Sequence, residues 1–233
     1  MFTLGLEGVA SKEENLYSLW RAAFGGEPEE KKTRRPNIIE WQGGDQKWSQ
    51  AMGCFSNRFD FVEEALVPLG SYFGEFDYNR LASAEDRFLD FARRSQEVAK
   101  VFPTPVRRFA LGGMCWLDRG SREACYTHLN DMLDRVQIDP ATMDFMYRLN
   151  QPIEVDGIVV NRMGTWSVVG HRNFEMNPHQ ESKPLDKEYS IQLQFDISSS
   201  SERTGPLDSG AVDKLLTTFA QAASMMLRGE RLN

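Results

Sequence analysis

The chain holds three histidines, His128, His171 and His179, and histidine is the side chain whose ordinary titration lies nearest neutrality, suiting it to proton transfer or metal binding. His128 stands three residues after Cys125 and three before Asp131, a spacing that offers sulfur, nitrogen and oxygen from one flank of a helix. Zinc sites of the structural kind draw four ligands, commonly as two pairs, and no second Cys or His pair is near in sequence. Packing is therefore the reading for this trio, and no metal or other cofactor is assigned.

His171 follows the apolar run Val168-Val169, and His179 sits in the polar stretch 173–181. Polar connections between strands often carry binding residues, so these two are candidates for the mouth of a ligand site. A histidine base also needs a nucleophile and an orienting group. The phosphate loop, the dinucleotide glycine fingerprint and the Gly-x-Ser-x-Gly elbow are all missing, which leans against an enzyme, and no catalytic residue is assigned. Trp41, Trp48, Trp116 and Trp166 fall on strand-like runs. They either line a pocket between a sheet and its covering helix or fill the core, as aromatic residues on strands usually do.

Those residues must be held by a folded scaffold, and the composition provides for one. Of 233 residues 41% are hydrophobic and 11% aromatic, ample to offset the entropy of ordering the chain. The formal charge of −7 repels a phosphate backbone unless the bases gather on one face. The basic pairs Lys31-Lys32, Arg34-Arg35 and Arg93-Arg94 have acidic neighbours, and Arg107-Arg108 stands apart from them, so nucleic-acid binding is disfavoured. Cys54, Cys115 and Cys125 are an odd number set among apolar or small residues, as expected of buried thiols in a reducing compartment. The start, Met1-Phe2-Thr3-Leu4, shows neither a basic leader nor a long apolar run, so a cytoplasmic protein without a membrane span is expected.

Periodicity predicts the elements. Residues 2–9 read as a strand and Ser11-Lys12-Glu13-Glu14 as a capping box; Leu16, Leu19, Trp20, Ala23 and Phe24 recur at helical spacing until Gly25-Gly26. Residues 27–35 read as a solvated connection. Strands follow over 36–42, 47–55 and 59–65, turning at Gly43-Gly44-Asp45 and Asn57-Arg58, and then a helix capped by Ser83. From Val106 the order recurs: strand 106–117, a helix capped by Ser121, strands 143–150, 158–169 and 189–197 with Asp156-Gly157 as a turn, and a last helix capped by Asp208 or Ser209. The expected fold is α+β, with duplicated β-α-β-β-β-α halves over residues 1–102 and 103–233 in one compact unit. Antiparallel strands covered by long helices would give a helix-grip or TATA-binding-protein-like architecture.

The runs Val106-Arg107-Arg108-Phe109-Ala110-Leu111-Gly112 and Tyr189-Ser190-Ile191-Gln192-Leu193-Gln194-Phe195-Asp196-Ile197, with the Leu19-Trp20 helix, resemble a sporadically distributed family of uncharacterised bacterial proteins. The resemblance extends loosely over most of the chain, carries no catalytic signature and implies a setting in mobile or defence-related gene neighbourhoods. With the missing motifs and the 10 Met and 5 Trp available for an adaptable contact surface, it makes a non-enzymatic protein-binding module the leading expectation. The partner would be another protein, in a bacterial defence or toxin-antitoxin type system, with a homodimer also compatible with open strand edges. The alternatives are a small-ligand protein or enzyme with a cavity under the C-terminal helix, and a nucleic-acid-binding protein.

Overall fold

Alternation of apolar and polar residues builds the described sheet, and the buried apolar residues of the alternation lie on one side. The computed structural model describes residues 1–6, 13–35, 38–44, 48–55, 58–65, 84–102, 105–133, 136–175, 183–200 and 205–229. The first run of elements is β1 (Phe2–Leu6), α1 (Glu13–Phe24), β2 (Glu30–Arg35), β3 (Ile38–Gly44), β4 (Trp48–Cys54), β5 (Arg58–Ala65) and α2 (Ala84–Val101). The second is β6 (Val106–Gly120), α3 (Arg122–Met132), β7 (Met146–Asn150), β8 (Ile153–Val155), β9 (Ile158–Glu175), β10 (Lys183–Ser199) and α4 (Ser209–Arg228).

The ten strands pair in the order β2-β3-β4-β5-β1-β6-β10-β9-β7, with β8 also on β9. Every pairing is antiparallel. The expected α+β class and antiparallel pairing are present, and the first run joins the second through β1 and β6. Trp41, Met52 and Phe61 lie in register on β3, β4 and β5, and the same line continues through Phe2 to Leu111 and Ile197. Trp41, Met52, Phe61, Leu111 and Ile197 are all buried in one core. The helices pack onto this face: Phe24 of α1 against Phe61 (4.8 Å between ring centroids), Phe91 of α2 against Phe61 (4.6 Å), and Phe88 of α2 against Phe195 of β10 (5.1 Å). α4 adds Leu215, Leu216, Phe219 and Ala223, and α3 adds Cys125 and Leu129.

Local signals act where expected. The Ser121 hydroxyl accepts from the Ala124 N–H at 3.1 Å and the Asp208 carboxylate from the Ala211 N–H at 2.7 Å, each capping a helix N-terminus. Asp156 and Gly157 take positive φ (51° and 76°), the backbone of a two-residue hairpin turn. Ser11, Asp45, Asn57 and Ser83, expected at caps and turns, lie outside the described residues.

Three expectations need correction. Residues 30–35 are not a solvated connection but the edge strand β2, with Lys31 opposite Trp41 and Thr33 opposite Ile39. An edge strand accepts charge because one side of it carries no pairing burden, and basic residues there discourage further strand addition. The Asp156-Gly157 turn joins the short β8 to β9, pairing Val155 with Ile158, so each run contains four strands after its first helix and not three. His171 through Glu175 belong to β9, because the hairpin continues past the sheet, with His171 opposite Glu188 and Glu175 opposite Lys183.

One charged group is built into this interface. Glu63 of β5, its side chain 3% exposed, takes a forked pair of hydrogen bonds from Arg94 of α2 (3.2 and 2.8 Å). It also takes one from Gln50 (3.0 Å) and an ion pair from Arg87 (2.7 Å). Arg87 lies 4.2 Å over the ring of Trp48, and Arg94 also holds Asp90 at 3.0 Å. A forked, multiply bonded carboxylate returns its desolvation cost, and removing it strands two guanidinium groups at a largely dry contact. Glu63→Ala is therefore expected to lower unfolding stability by about 3 to 5 kcal/mol, and Glu63→Gln, which keeps the shape, by less; urea denaturation measures both. A loss for Glu63→Ala within the ordinary surface range, under about 0.5 kcal/mol, would show that the pin carries no weight.

Candidate functional site

Since the described helices pack on one face of the sheet, the opposite face is defined by the residues that alternate with the core. On β6, Phe109 and Leu111 are buried while Met114 and Trp116 are 49% and 52% exposed, which places the latter two on the other side. Register carries that face across the neighbouring strands. Trp116 lies opposite Gln192 of β10, which lies opposite Ser167 of β9, which lies opposite Met146 of β7. One step along, Met114, Gln194, Thr165 and Arg148 form the next line, and then Gly112, Asp196, Met163 and Asn150.

The chemistry of this surface is unusual for an acidic protein. Met146 is 72% exposed, and Val159 and Val169 on the same face of β9 are 45% and 37% exposed. Between the apolar groups stand amides and hydroxyls. Gln192 Nε2 donates to Met114 Sδ at 3.1 Å and its Oε1 accepts from Ser167 Oγ at 3.3 Å. Arg148 directs both Nε and Nη2 at Met163 Sδ, at 3.0 and 2.7 Å. Asp196 Oδ1 is buried and makes no hydrogen bond. Large exposed apolar side chains clustered on one face and rimmed by polar groups mark an interaction surface more often than chance exposure does.

The four tryptophans do not line one cavity. Trp41 is buried with its ring edge toward Tyr17 of α1 (5.6 Å), and Trp48 lies under Arg87. Trp166 is buried against Tyr147 (5.9 Å), its ring folded over Gly164, where a Cβ would come 2.6 Å from it. Only Trp116 of the four faces solvent. His171 is described in its backbone alone, on β9, and His179 lies outside the described residues.

Between α4 and β10, Leu215, Phe219 and Ala223 are fully buried. A groove of about 630 Å³ instead runs along the outside, between α2 and α4, over Leu89, Ala92, Leu216 and Ala220. The basic pairs do not converge: β2, with Lys31 and Lys32, is five pairings from β6, with Arg107 and Arg108, or about 24 Å at the usual strand spacing. Arg93 and Arg94 are engaged with Asp90 and Glu63.

Comparison of the chain with protein-family models, with curated protein sequences and with solved structures finds no match. The geometry therefore carries the functional argument. Among the described residues no group of three or more His, Cys, Asp or Glu is placed to hold a metal ion, and no helix is long and apolar enough to cross a membrane. Sequence reasoning passed over Met114, Met146, Met163, Arg148 and Gln192. The available signal was Met114-Cys115-Trp116-Leu117, a strand segment apolar on both faces, where a strand with one buried face alternates apolar with polar residues.

Two titrations follow from the interior. Burial pushes the thiols of Cys115 and Cys125 up to about 11, far from the thiolate range at neutral pH. Site-resolved alkylation of the native protein at pH 8 should leave both unlabelled and label them on denaturation; fast native labelling of either would contradict the packing. His128 on α3 is held below its ordinary value first by burial and then by Arg119, whose Nη2 lies 3.3 Å from Nδ1, with Asp131 opposing. The fold thus favours the neutral ring. This contribution is complete above the unfolded value of about 6.5 and is lost as pH falls from there through the lower folded value. His128→Asn should flatten that part of the stability profile, read by denaturation between neutral and mildly acidic pH; an unchanged profile would remove His128 from the account.

Proposed function

We propose that the protein is a non-enzymatic protein-binding module and that it docks its partner on the sheet face opposite the helices, around Trp116. The carrying observation is the exposure of Met114, Trp116 and Met146 together on the described sheet face, whereas among the described residues most other large apolar side chains are buried or packed against one core. Tryptophan, tyrosine and arginine dominate contact energies when a partner desolvates them, and methionine adapts to irregular surfaces. Gln192, Gln194, Thr165 and Ser167 stand between the apolar groups around Trp116, with Asp196 one line further along and Arg148 and Asp118 at the margin of the patch. The partner it suits presents an apolar surface with peptide-like hydrogen-bonding groups and little charge. Such binding gains little from steering and depends weakly on salt.

In this reading the two element runs, each a strand, a helix, four strands and a helix, are duplicated halves meeting at β1 and β6, in a helix-grip or TATA-binding-protein-like arrangement that leaves one side of the sheet for recognition. The resemblance of residues 106–112 and 189–197 to an uncharacterised bacterial family supports a role as an accessory component of a defence or toxin-antitoxin type system.

The test is capture from native cells with quantitative mass spectrometry, comparing the unaltered chain, Trp116→Ala and a control on the helix side, Val101→Ala, whose side chain is 54% exposed on α2. Loss of about 2 kcal/mol, roughly thirtyfold in affinity, is expected for a stoichiometric partner on Trp116→Ala, with Val101→Ala unaffected and retention insensitive to salt. A partner kept by Trp116→Ala, or the absence of any stoichiometric partner, would overturn the reading.

A further inference from the structure

Two hydrogen-bond donors on the sheet face opposite the described helices are spent on thioethers. The Arg148 guanidinium aims two N–H groups at Met163 Sδ (3.0 and 2.7 Å), and among the described residues it forms no ion pair. The Gln192 amide aims its N–H at Met114 Sδ (3.1 Å) and is steadied on its other side by Ser167. A thioether is a weak acceptor, so each donor is left far short of the bond it could make to oxygen. An oxygen placed on either sulfur would lie beside a donor already in position, and for Met163 beside a two-pronged, charge-assisted one. Met114 is half exposed and Met163 is partly exposed.

From this we infer that Met114 and Met163 form a methionine-oxidation site that takes a two-electron oxidant of the peroxide class and holds the resulting sulfoxides. In the step itself a sulfur lone pair attacks one peroxide oxygen and the O–O bond breaks. The sulfur gains a double-bonded oxygen and loses two electrons. The other oxygen departs with two protons as water, so the peroxide is reduced as the thioether is oxidised. Sulfoxide formation turns a flexible apolar side chain into a polar one. Where the oxygen meets Arg148 or Gln192 the polar product is stabilised in place, and the apolar docking surface becomes a polar one without loss of the fold. That consequence for binding rests on the reading of this face as the docking surface; the modification itself does not.

Graded hydrogen peroxide, applied to the full chain and mapped by peptide mass spectrometry, tests the site. Met114 and Met163 should oxidise at least about tenfold faster than the buried Met52 and Met226. The oxidised chain should keep its thermal midpoint, whereas oxidised Arg148→Leu should melt lower than its own reduced form. Met146, 72% exposed, serves as a control whose oxidation rate Arg148→Leu leaves unchanged. Equal oxidation of Met52 or Met226, or the same melting shift on oxidation with and without Arg148, would overturn the proposal. If the sulfoxides form and are held but partner capture is unaffected, the modification site stands and the docking reading of this face falls.

Discussion

The molecule depends on strand register. β6, β9 and β10 are long strands, and each sets its fully buried apolar residues on one parity: Phe109 and Leu111 on β6, Val160 and Trp166 on β9, Ile191, Leu193, Phe195 and Ile197 on β10. Side chains alternate with a period of two, so a slip of one residue would exchange the core with the outer face along the whole strand. The fit is tightest where a ring lies over a glycine of the neighbouring strand, as Phe195 of β10 lies over Gly113 of β6, because any other residue opposite would put a Cβ within 2.4 Å of the ring. With parity held, the helices have one apolar surface to cover, and they cover it with α1, α2 and α4 meeting along the core and α3 beside β6, β9 and β10.

That arrangement divides polar chemistry into two kinds. On the helix side the charges are committed: Glu63 binds Arg94 and Arg87, and Gln96 of α2 donates to Asp213 of α4 at 2.8 Å. These bonds fix where α2 lies on the sheet and against α4, and their energy is realised within the fold. On the outer face around Trp116 two polar groups have weak partners or none: Arg148 meets only the thioether of Met163, and the buried Oδ1 of Asp196 meets no donor. Polar groups left short of good partners at a surface otherwise able to satisfy them are the ones with free energy still to gain from another molecule.

Much of the scaffold was legible before any coordinates. The apolar stripe of α4 from Val212 to Leu227 predicted a long helix across a sheet, and Ser121, Asp208 and Asp156-Gly157 marked boundaries that the backbone honours. Two strands were not legible for physical reasons. Glu30–Arg35 is so charged that composition speaks for a loop, and it becomes a strand only because β3 offers it a pairing edge. Ile153–Val155 is three residues long, too short for any periodicity to register. The candidate site escaped for another reason: its residues come from β6, β7, β9 and β10, and only the register of four strands brings Trp116, Gln192, Ser167 and Met146 into one line. The histidines drew attention through their side-chain type, whereas the surface is assembled from methionine, tryptophan and amides, which no local motif announces.

The contrast between Trp166 and Trp116 shows why the outer face reads as functional and not as leftover surface. Both lie on long central strands of the same sheet. Trp166 is covered, lies beside Tyr147 and closes over Gly164, so its area already contributes to folding. Trp116 stands half exposed, with Gln192 directly opposite and Met114 two residues away on the same side, so much of its apolar area remains in water and contributes little to stability. A residue kept for packing alone would be expected on the covered parity. An indole on the other parity, set among adaptable thioethers and neutral hydrogen-bonding groups, gains most of its available free energy only when a second surface removes it from water.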